Sequence, residues 1–431
     1  MIKPITPIDA SALVNQLTAQ AVGAEALSTI DLSDFVSVSN LLLSTGYDNV
    51  IGQISSLITR VINDSRAYDA KSYASIMVSN SEYGNRILKR KFYSRDSIEA
   101  GSVNTDKNTN IGDGLNAETS GTGSQWDMKF TPVLEQEFGG SDAWSYQMPT
   151  ITEDALKDAF RTPDEFAGWL NGVITEALNE LNQEKEEFAK TVVLNRIGGI
   201  LKMTEDQDLG PECVVDLIDY ANKKMGTTYT RDEMLKEHKE DFLKLIGPKL
   251  ETDASRLGYR TVKYHWNPAK TFNGQSYSLK TFTPASNLKM LYYAPLIREM
   301  EGFVLPTVFN AGMLKDAVSK NTSKAEGLEF WQAFDDSDEY AGAKIDVKVN
   351  IPTSQTAEEV SNDFVFGMLY DENGLMLNYQ LDTVRTTPVH ARKGIINTFH
   401  NWKRLPINDF TDNAIVYILG EGGSTEDDSN P

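Results

Sequence analysis

The chain carries one cysteine, Cys213, in 431 residues. It offers no intrachain disulfide and no thiolate cluster for a metal, which implies folding in a reducing compartment and stability from packing and association. Histidine is almost as scarce. His238, His265, His390 and His400 never fall within a few residues of one another, as helix or strand ligands would. His400, beside Trp402, reads as a packed or hydrogen-bonded imidazole, and His238, within Lys236–Glu240, as part of a solvated helix face. Long apolar runs are missing too. Ala414–Leu419 is far shorter than the roughly 20 residues of a membrane span. The opening Met1-Ile2-Lys3-Pro4 lacks the charged, apolar and small-residue order of an export signal, so neither membrane nor export is expected. Positive charge is in deficit: 41 basic against 62 acidic residues leave a formal charge of −21 and a pI near 4.7. Such a chain is a poor non-specific binder of duplex nucleic acid.

Catalytic signatures are absent in the same way. No glycine-rich loop leads into Lys-Ser/Thr, and there is neither a Gly-x-Ser-x-Gly nor a His-Glu-x-x-His. Asp335-Asp336-Ser337-Asp338-Glu339 lacks the spacing of a calcium loop and reads as a solvated acidic loop. No catalytic residue, cofactor or metal is therefore expected. A polysaccharide hydrolase with paired carboxylates stays open as an alternative, because carboxylate separation is a property of three dimensions. The 40% hydrophobic and 10% aromatic content is that of a folding chain, long enough for one large core or a few smaller ones.

What is present is organised in blocks. Ala12, Leu13, Leu17 and Val22, then Ile51, Ile54, Leu57, Ile58 and Val61, have helical spacing. Residues 94–125 are rich in Gly, Ser, Thr, Asn and Asp and cannot form a core. They lie between two extended arms, Arg86–Tyr93 and Trp126–Leu134, which predicts a projecting hairpin with a long polar tip. Arg86, Lys89, Arg90 and Lys91 form the one basic cluster of the acidic chain. Its ordinary reading is a wet surface; its functional reading is contact with an acidic neighbouring subunit, and a nucleic-acid site is the weakest of the three readings.

Thr162-Pro163-Asp164-Glu165 is a capping box with Pro at the first helical position. Phe166, Trp169, Leu170, Val173, Ile174, Ala177, Leu178 and Leu181 then hold one apolar stripe. The pattern resumes at Phe188, Val192 and Val193, and Gly198-Gly199 is expected to stop it, giving one long helix over 162–197. Leu235, Phe242, Leu243, Leu245 and Ile246 predict a helix ending at Gly247-Pro248. Tyr259–Trp266 is strand-like, and Asn273-Gly274 is a turn signal. Phe364–Tyr370 and Leu375–Tyr379 flank Asp371-Glu372-Asn373-Gly374 as a predicted hairpin. Lys393–Trp402 is a further strand, and Asn413–Leu419, apolar on both faces, a buried one.

This order of features resembles the Hong Kong-type fold of tailed-phage major capsid proteins. More narrowly, it is similar to the head proteins of small short-tailed phages of the picovirus group. Ala159-Phe160-Arg161 through Phe166, with Val173-Ile174 and Ala177, resembles that group's entry into its long helix. Leu288–Tyr293 through Leu314–Ala317 resembles its strand-then-helix segment, and Gly394, Trp402, Phe410 and Asn413–Val416 its aromatic and closing strands. The region 200–285 carries more helix than the family pattern.

The resemblance implies an α+β subunit. Its parts are an N-terminal arm with helices (1–79), an extended loop hairpin (80–150) and a spine helix of the peripheral domain (151–200). An axial domain with a helical insertion (201–360), a closing sheet (361–420) and a disordered acidic tail (421–431) follow. It implies self-assembly into hexamers and pentamers of an icosahedral head enclosing DNA without sequence-specific binding. The place is the virion, after assembly in the host bacterial cytoplasm, with scaffolding, portal and decoration proteins as partners. Arg86, Lys89, Arg90, Lys91, Phe92, Tyr93, Trp126 and Phe130 would form the subunit interface. Phe166, Trp169, Leu170, Val173, Ile174, Leu178 and Leu181 would form the spine-helix core. A tail or portal ring component is the other alternative.

Overall fold

A computed structural model describes residues 77–79, 86–95, 132–139, 142–147, 151–152, 163–268, 270–272, 275–303, 325–333, 340–388 and 395–422. In chain order it begins with strands β1 (Met77–Ser79), β2 (Arg86–Phe92), β3 (Ser94–Arg95), β4 (Val133–Gly139), β5 (Asp142–Gln147) and β6 (Ile151–Thr152). The long helix α1 (Pro163–Glu205) leads to β7 (Val214–Asp216) and helices α2 (Leu217–Met225), α3 (Arg231–Lys236) and α4 (Lys239–Leu257). Then come β8 (Lys270–Phe272), β9 (Gln275–Ser278), β10 (Leu288–Tyr293), α5 (Ala294–Phe303) and β11 (Ala325–Leu328). The chain closes with β12 (Ile345–Val349), β13 (Glu358–Asn362), β14 (Val365–Asp371), β15 (Leu375–Thr386), β16 (Ile395–Ile396), β17 (Thr398–Asn408) and β18 (Ala414–Ile418). The class is α+β, and among the described residues no helix is long and apolar enough to cross a membrane.

The chain divides into two units. One comprises Met1–Asn85, Gly140–Thr191 and Leu377–Pro406, and holds a four-stranded sheet in the order β1-β15-β17-β5. Within it the Arg404 guanidinium lies 3.8 Å from the centre of the Phe188 ring.

The other unit comprises Arg86–Gly139, Val192–Met376 and Ile407–Pro431. Its centre is a five-stranded sheet, β11-β10-β14-β18-β7. β10 and β18 run antiparallel to β14, while β11 and β7 run parallel to their neighbours. Every residue of β14 is buried, as are the first four of β18. That is why the Asn413–Leu419 run shows no alternation: both of its faces are covered. α4 packs against α2, α3 and α5. α3 opens on the capping box of Thr230 and Glu233.

Four expectations are corrected here. The long helix runs through Gly198-Gly199 to Glu205. The glycines are sites of close approach: a Cβ on Gly198 would stand 2.6 Å from Val349 Cγ1, and one on Gly199 2.5 Å from Phe410 Cζ. Beside them Asn195 pins Asn350 at both its N–H, 2.7 Å, and its carbonyl, 3.3 Å. Gly247-Pro248 does not end a helix either. α4 continues through Pro248 because Phe242, Leu243, Ile246, Leu250, Ala254 and Leu257 keep one face buried on both sides of it. Leu235 belongs to the separate α3.

Tyr259–Trp266 makes a single bridge, Thr261 to Thr281, and no strand. Finally, β14 and β15 do not pair as a hairpin: they enter different sheets. The Asp371–Gly374 turn is held from outside instead, by Glu372 N–H to the Asn287 carbonyl at 2.8 Å and by the Gly374 carbonyl, which accepts from Asp409 N–H at 2.8 Å.

Phe166, Trp169, Leu170, Val173, Ile174 and Leu178 all fall on α1, and Leu181 is buried. Trp126, Phe130, Thr162, most of 94–125, Asp335–Glu339, Asn273-Gly274 and the end of the acidic tail lie outside the described residues. β8 and β9 on either side of Asn273-Gly274 do pair, Phe272 opposite Gln275.

Candidate assembly surface at the hairpin base

β2 and β4 form an antiparallel ribbon, with Arg86 opposite Gly139 through Phe92 opposite Val133. Among the described residues this ribbon joins no larger sheet. Its two faces differ because strand side chains alternate. Leu88, Arg90 and Phe92 point outward; Leu88 is 52% and Phe92 62% exposed. Arg90 Nε meets Glu135 Oε1 of the opposing strand at 2.8 Å, with both groups mostly exposed. Such a pair contributes at most about 1 kcal/mol.

The inward face carries Lys89 and Lys91, and it meets the corner that precedes β18, Asn408–Asn413. Lys89 Nζ lies 2.7 Å from Asp409 Oδ2, contacts Asp412 Oδ2, and donates to the Asn373 carbonyl at 3.0 Å. Lys91 Nζ lies 2.5 Å from Asp412 Oδ1 and 3.3 Å from Asp409 Oδ2, and donates to Thr411 Oγ1 at 2.7 Å. From β4, Gln136 donates to Asp409 Oδ1 at 2.9 Å. The acids expected on a neighbouring subunit are therefore, for Lys89 and Lys91, acids of this same chain. Tyr93 likewise turns inward: it is 2% exposed, packs with Tyr277, Leu279 and Leu134, and donates its hydroxyl to the Pro268 carbonyl at 2.8 Å.

The corner's own geometry explains why it can hold two lysines. Asp409 accepts from Thr411 N–H at 2.9 Å and Thr411 Oγ1 at 2.6 Å. Burial would raise its carboxyl, but Lys91, Lys89 and these hydrogen bonds prevail and hold it well below the usual carboxylate range. Burial pulls Lys89 down, yet Asp412 and Asp409 together leave its pKa above the ordinary lysine value. From α1, Arg196 reaches the same corner fully buried, at 1% exposure. Its Nη2 donates to the Asp412 carbonyl at 2.9 Å and its Nη1 to Asn408 Oδ1 at 3.4 Å, with the guanidinium 4.7 Å from the Phe410 ring centre.

Behind the corner, His265 is 3% exposed, with Nε2 2.8 Å from the Leu279 carbonyl and Nδ1 3.1 Å from Asn413 Oδ1. Burial lowers its pKa. Asp371 is raised, again by burial, against the hydrogen bonds of Asn373 N–H and Thr283. The sign follows from proton counting. A base whose folded pKa is lowered leaves the unfolded state binding more protons, so stability falls as pH drops below about 6.5, the free histidine value. Asp371 takes up its proton early in the folded state and acts in the opposite sense. The melting temperature of the free subunit is expected to fall between about pH 7 and about pH 5, and His265→Gln to hold level or rise over the same range. An unchanged fall in the variant would remove His265 as the cause.

An open groove of about 700 Å³ runs between the ribbon and the 279–287 segment, lined in part by Ile87, Phe92, Phe138, Phe282 and Ile407. Phe282 is 54% exposed, and Tyr259 and Val262 are also large exposed apolar groups. Cys213 is unsuited to chemistry: burial pushes its thiol up to about 12, and Sγ donates to the Lys263 carbonyl at 3.3 Å. Among the described residues no group of His, Cys, Asp and Glu is placed to hold a metal.

Reading the sequence alone singled out the hairpin lysines and missed Arg196, Asp409, Asp412 and Asn413. Two signals pointed to them. Arg196 is a lone charge in the apolar run Val192–Ile200, and Asn408-Asp409-Phe410-Thr411-Asp412-Asn413 is a polar knot directly before the most apolar strand.

The family model for Phi29-like phage major capsid proteins matches residues 26–418. No curated protein matches the chain. It is similar to a chain of the capsid of Staphylococcus phage Andhra, at 9% identity and a TM-score of 0.49, over 81% of this chain and 84% of that one. A chain in a structure of the head fiber and inner core protein gp22 of native bacteriophage P68 matches at 9% identity and a TM-score of 0.48, over 80% and 83%. One in the capsid of cyanophage P-SCSP1u matches at 10% identity and 0.37, over 80% and 87%. The family match disfavours both the hydrolase and the ring-component alternatives. Because it spans nearly the whole chain, the protein belongs to the Phi29-like phage major capsid proteins, structural proteins that form the shell of the virion.

Proposed function

We propose that this chain assembles with copies of itself into the hexamers and pentamers of an icosahedral head, using the hairpin as an arm laid across a neighbouring copy. The observation that carries this reading is the outward face of the ribbon, where Leu88 and Phe92 stand exposed beside a groove rimmed by Phe282. A two-stranded ribbon is marginal alone and gains order by lying on a partner. A closed set of such contacts adds weak interfaces into a strong shell. The polar segment 94–125 would extend the arm. The formal charge of −21 suits a container wall that repels packaged DNA. Scaffolding, portal and decoration proteins are the further partners of this reading, with assembly in the host bacterial cytoplasm.

The test is the double substitution Leu88→Asp with Phe92→Asp. Both side chains face solvent in the free subunit, so folding is expected to be unchanged by circular dichroism and melting temperature. Shell formation, followed by light scattering and negative-stain microscopy, is expected to be lost. Normal shells from the variant would place the interface elsewhere.

A further inference from the structure

The ribbon is held to the body of its unit in two different ways. At Tyr93 the hold is apolar, through Tyr277 and Leu279, and is continued by β3 pairing with β9, Ser94 opposite Ser278. Along the ribbon itself it is ionic, with Lys89 and Lys91 seated on Asp409 and Asp412. The ionic seat draws charged groups from several elements. β2 supplies Lys89 and Lys91, the corner supplies Asp409 and Asp412, and Asp371 stands at the end of β14. From α1, Arg196 grips the Asp412 carbonyl and not its carboxylate. The Asp412 side chain is thus left to the two lysines, 13% and 21% exposed, which have a partial path to solvent.

From this geometry we propose that the Asn408–Asn413 corner is an electrostatic latch for the hairpin. The ribbon is clamped by charge so that it can be released and reseated about the Tyr93 anchor while the five-stranded core stays closed. Apolar packing that filled the same seat would make the ribbon part of the core, and freeing it would expose that core. An ion pair exchanges protein partners for water at smaller net cost, since each group is solvated when the clamp opens. The use of the latch in assembly rests on the reading of the hairpin as an inter-subunit arm. The latch itself is a property of the free subunit and is tested there.

The test is hydrogen–deuterium exchange on the full-length, unassembled chain carrying Lys89→Met with Asp412→Asn. This pair of changes removes one cation and one anion, leaves Lys91 with Asp409, and keeps the backbone carbonyl that Arg196 grips. Exchange at Arg86–Phe92 and Val133–Gly139 is expected to quicken by about tenfold or more, as for a local opening, with β14 and β18 unchanged. Lys91→Met with Asp412→Asn is expected to give the same local pattern. Unchanged exchange in the ribbon would overturn the latch. So would an equal rise in β14 and β18, or failure of both variants to fold, because either would make the corner cement of the core. Loss of shells in the Leu88→Asp, Phe92→Asp protein with an unaltered latch would keep the two readings apart.

Discussion

Arg196→Met is expected to destabilise the free subunit by about 1–3 kcal/mol, the cost of leaving buried acceptors without their donor. Met keeps the apolar stem of Arg but is three heavy atoms smaller, so the effect reports lost hydrogen bonds together with some lost packing. In the variant the Asp412 carbonyl and Asn408 Oδ1 lose their donor, and the Phe410 ring loses the guanidinium beside it. Asp409 and Asp412 are left with two cations in place of three. Burial draws the Arg196 pKa down while Asp409 and Asp412 draw it up, which is the electrostatic form of the same dependence. Arg90→Met is the control. Its partner Glu135 is across the strand and exposed, and the expected change is within about 1 kcal/mol. Urea unfolding followed by tryptophan fluorescence measures both. Equal small shifts for the two variants would contradict the account of the corner.

A second large effect distinguishes two glycines of the same helix. Helix propensity alone predicts that Gly→Ala stabilises a helix interior by about 0.5–1 kcal/mol. Gly172 meets nothing within 4 Å of an added Cβ, so Gly172→Ala should show that gain. Gly199 is different: its Cβ would lie 2.5 Å from Phe410 Cζ, 2.7 Å from Cε1 and 3.3 Å from Ile351 Cγ2. Phe410 cannot easily retreat, since it is 6% exposed and sits in the corner gripped by Arg196. Overpacking of this kind costs about 1–3 kcal/mol, so Gly199→Ala should destabilise. Opposite signs from thermal melts of the two variants are the expected result. A gain at both positions would mean that the helix does not approach Phe410 so closely.

These glycines also show how far the sequence could be read. The start of α1 was legible because Thr162-Pro163-Asp164-Glu165 encodes a helix entry locally, and the helix does begin at Pro163. Its end was not, because Gly198-Gly199 looks the same whether glycine stops a helix or lets a neighbour in. The neighbours, Val349 and Phe410, are far along the chain. Pro248 misled in the same way, since the buried face of α4 outweighs one lost hydrogen bond. The Asp371–Gly374 turn was legible as a turn. Local turn chemistry carries no information on which strands pair, and β14 and β15 enter different sheets.

At the hairpin, Arg86–Tyr93 was legible as an extended arm, but not which face turns inward. That choice is made by Asp409 and Asp412, more than 300 positions away. β18 needed no partner to be recognised, because a run buried on both faces is apolar throughout.

The most direct test of the central claim is negative-stain microscopy with light scattering on the purified protein, expressed alone and with its neighbouring genes. The account predicts closed shells, tubes, or free hexamers and pentamers from the native chain, and none of these from the Leu88→Asp, Phe92→Asp protein. A native chain that stays a stable monomer under every condition would contradict it.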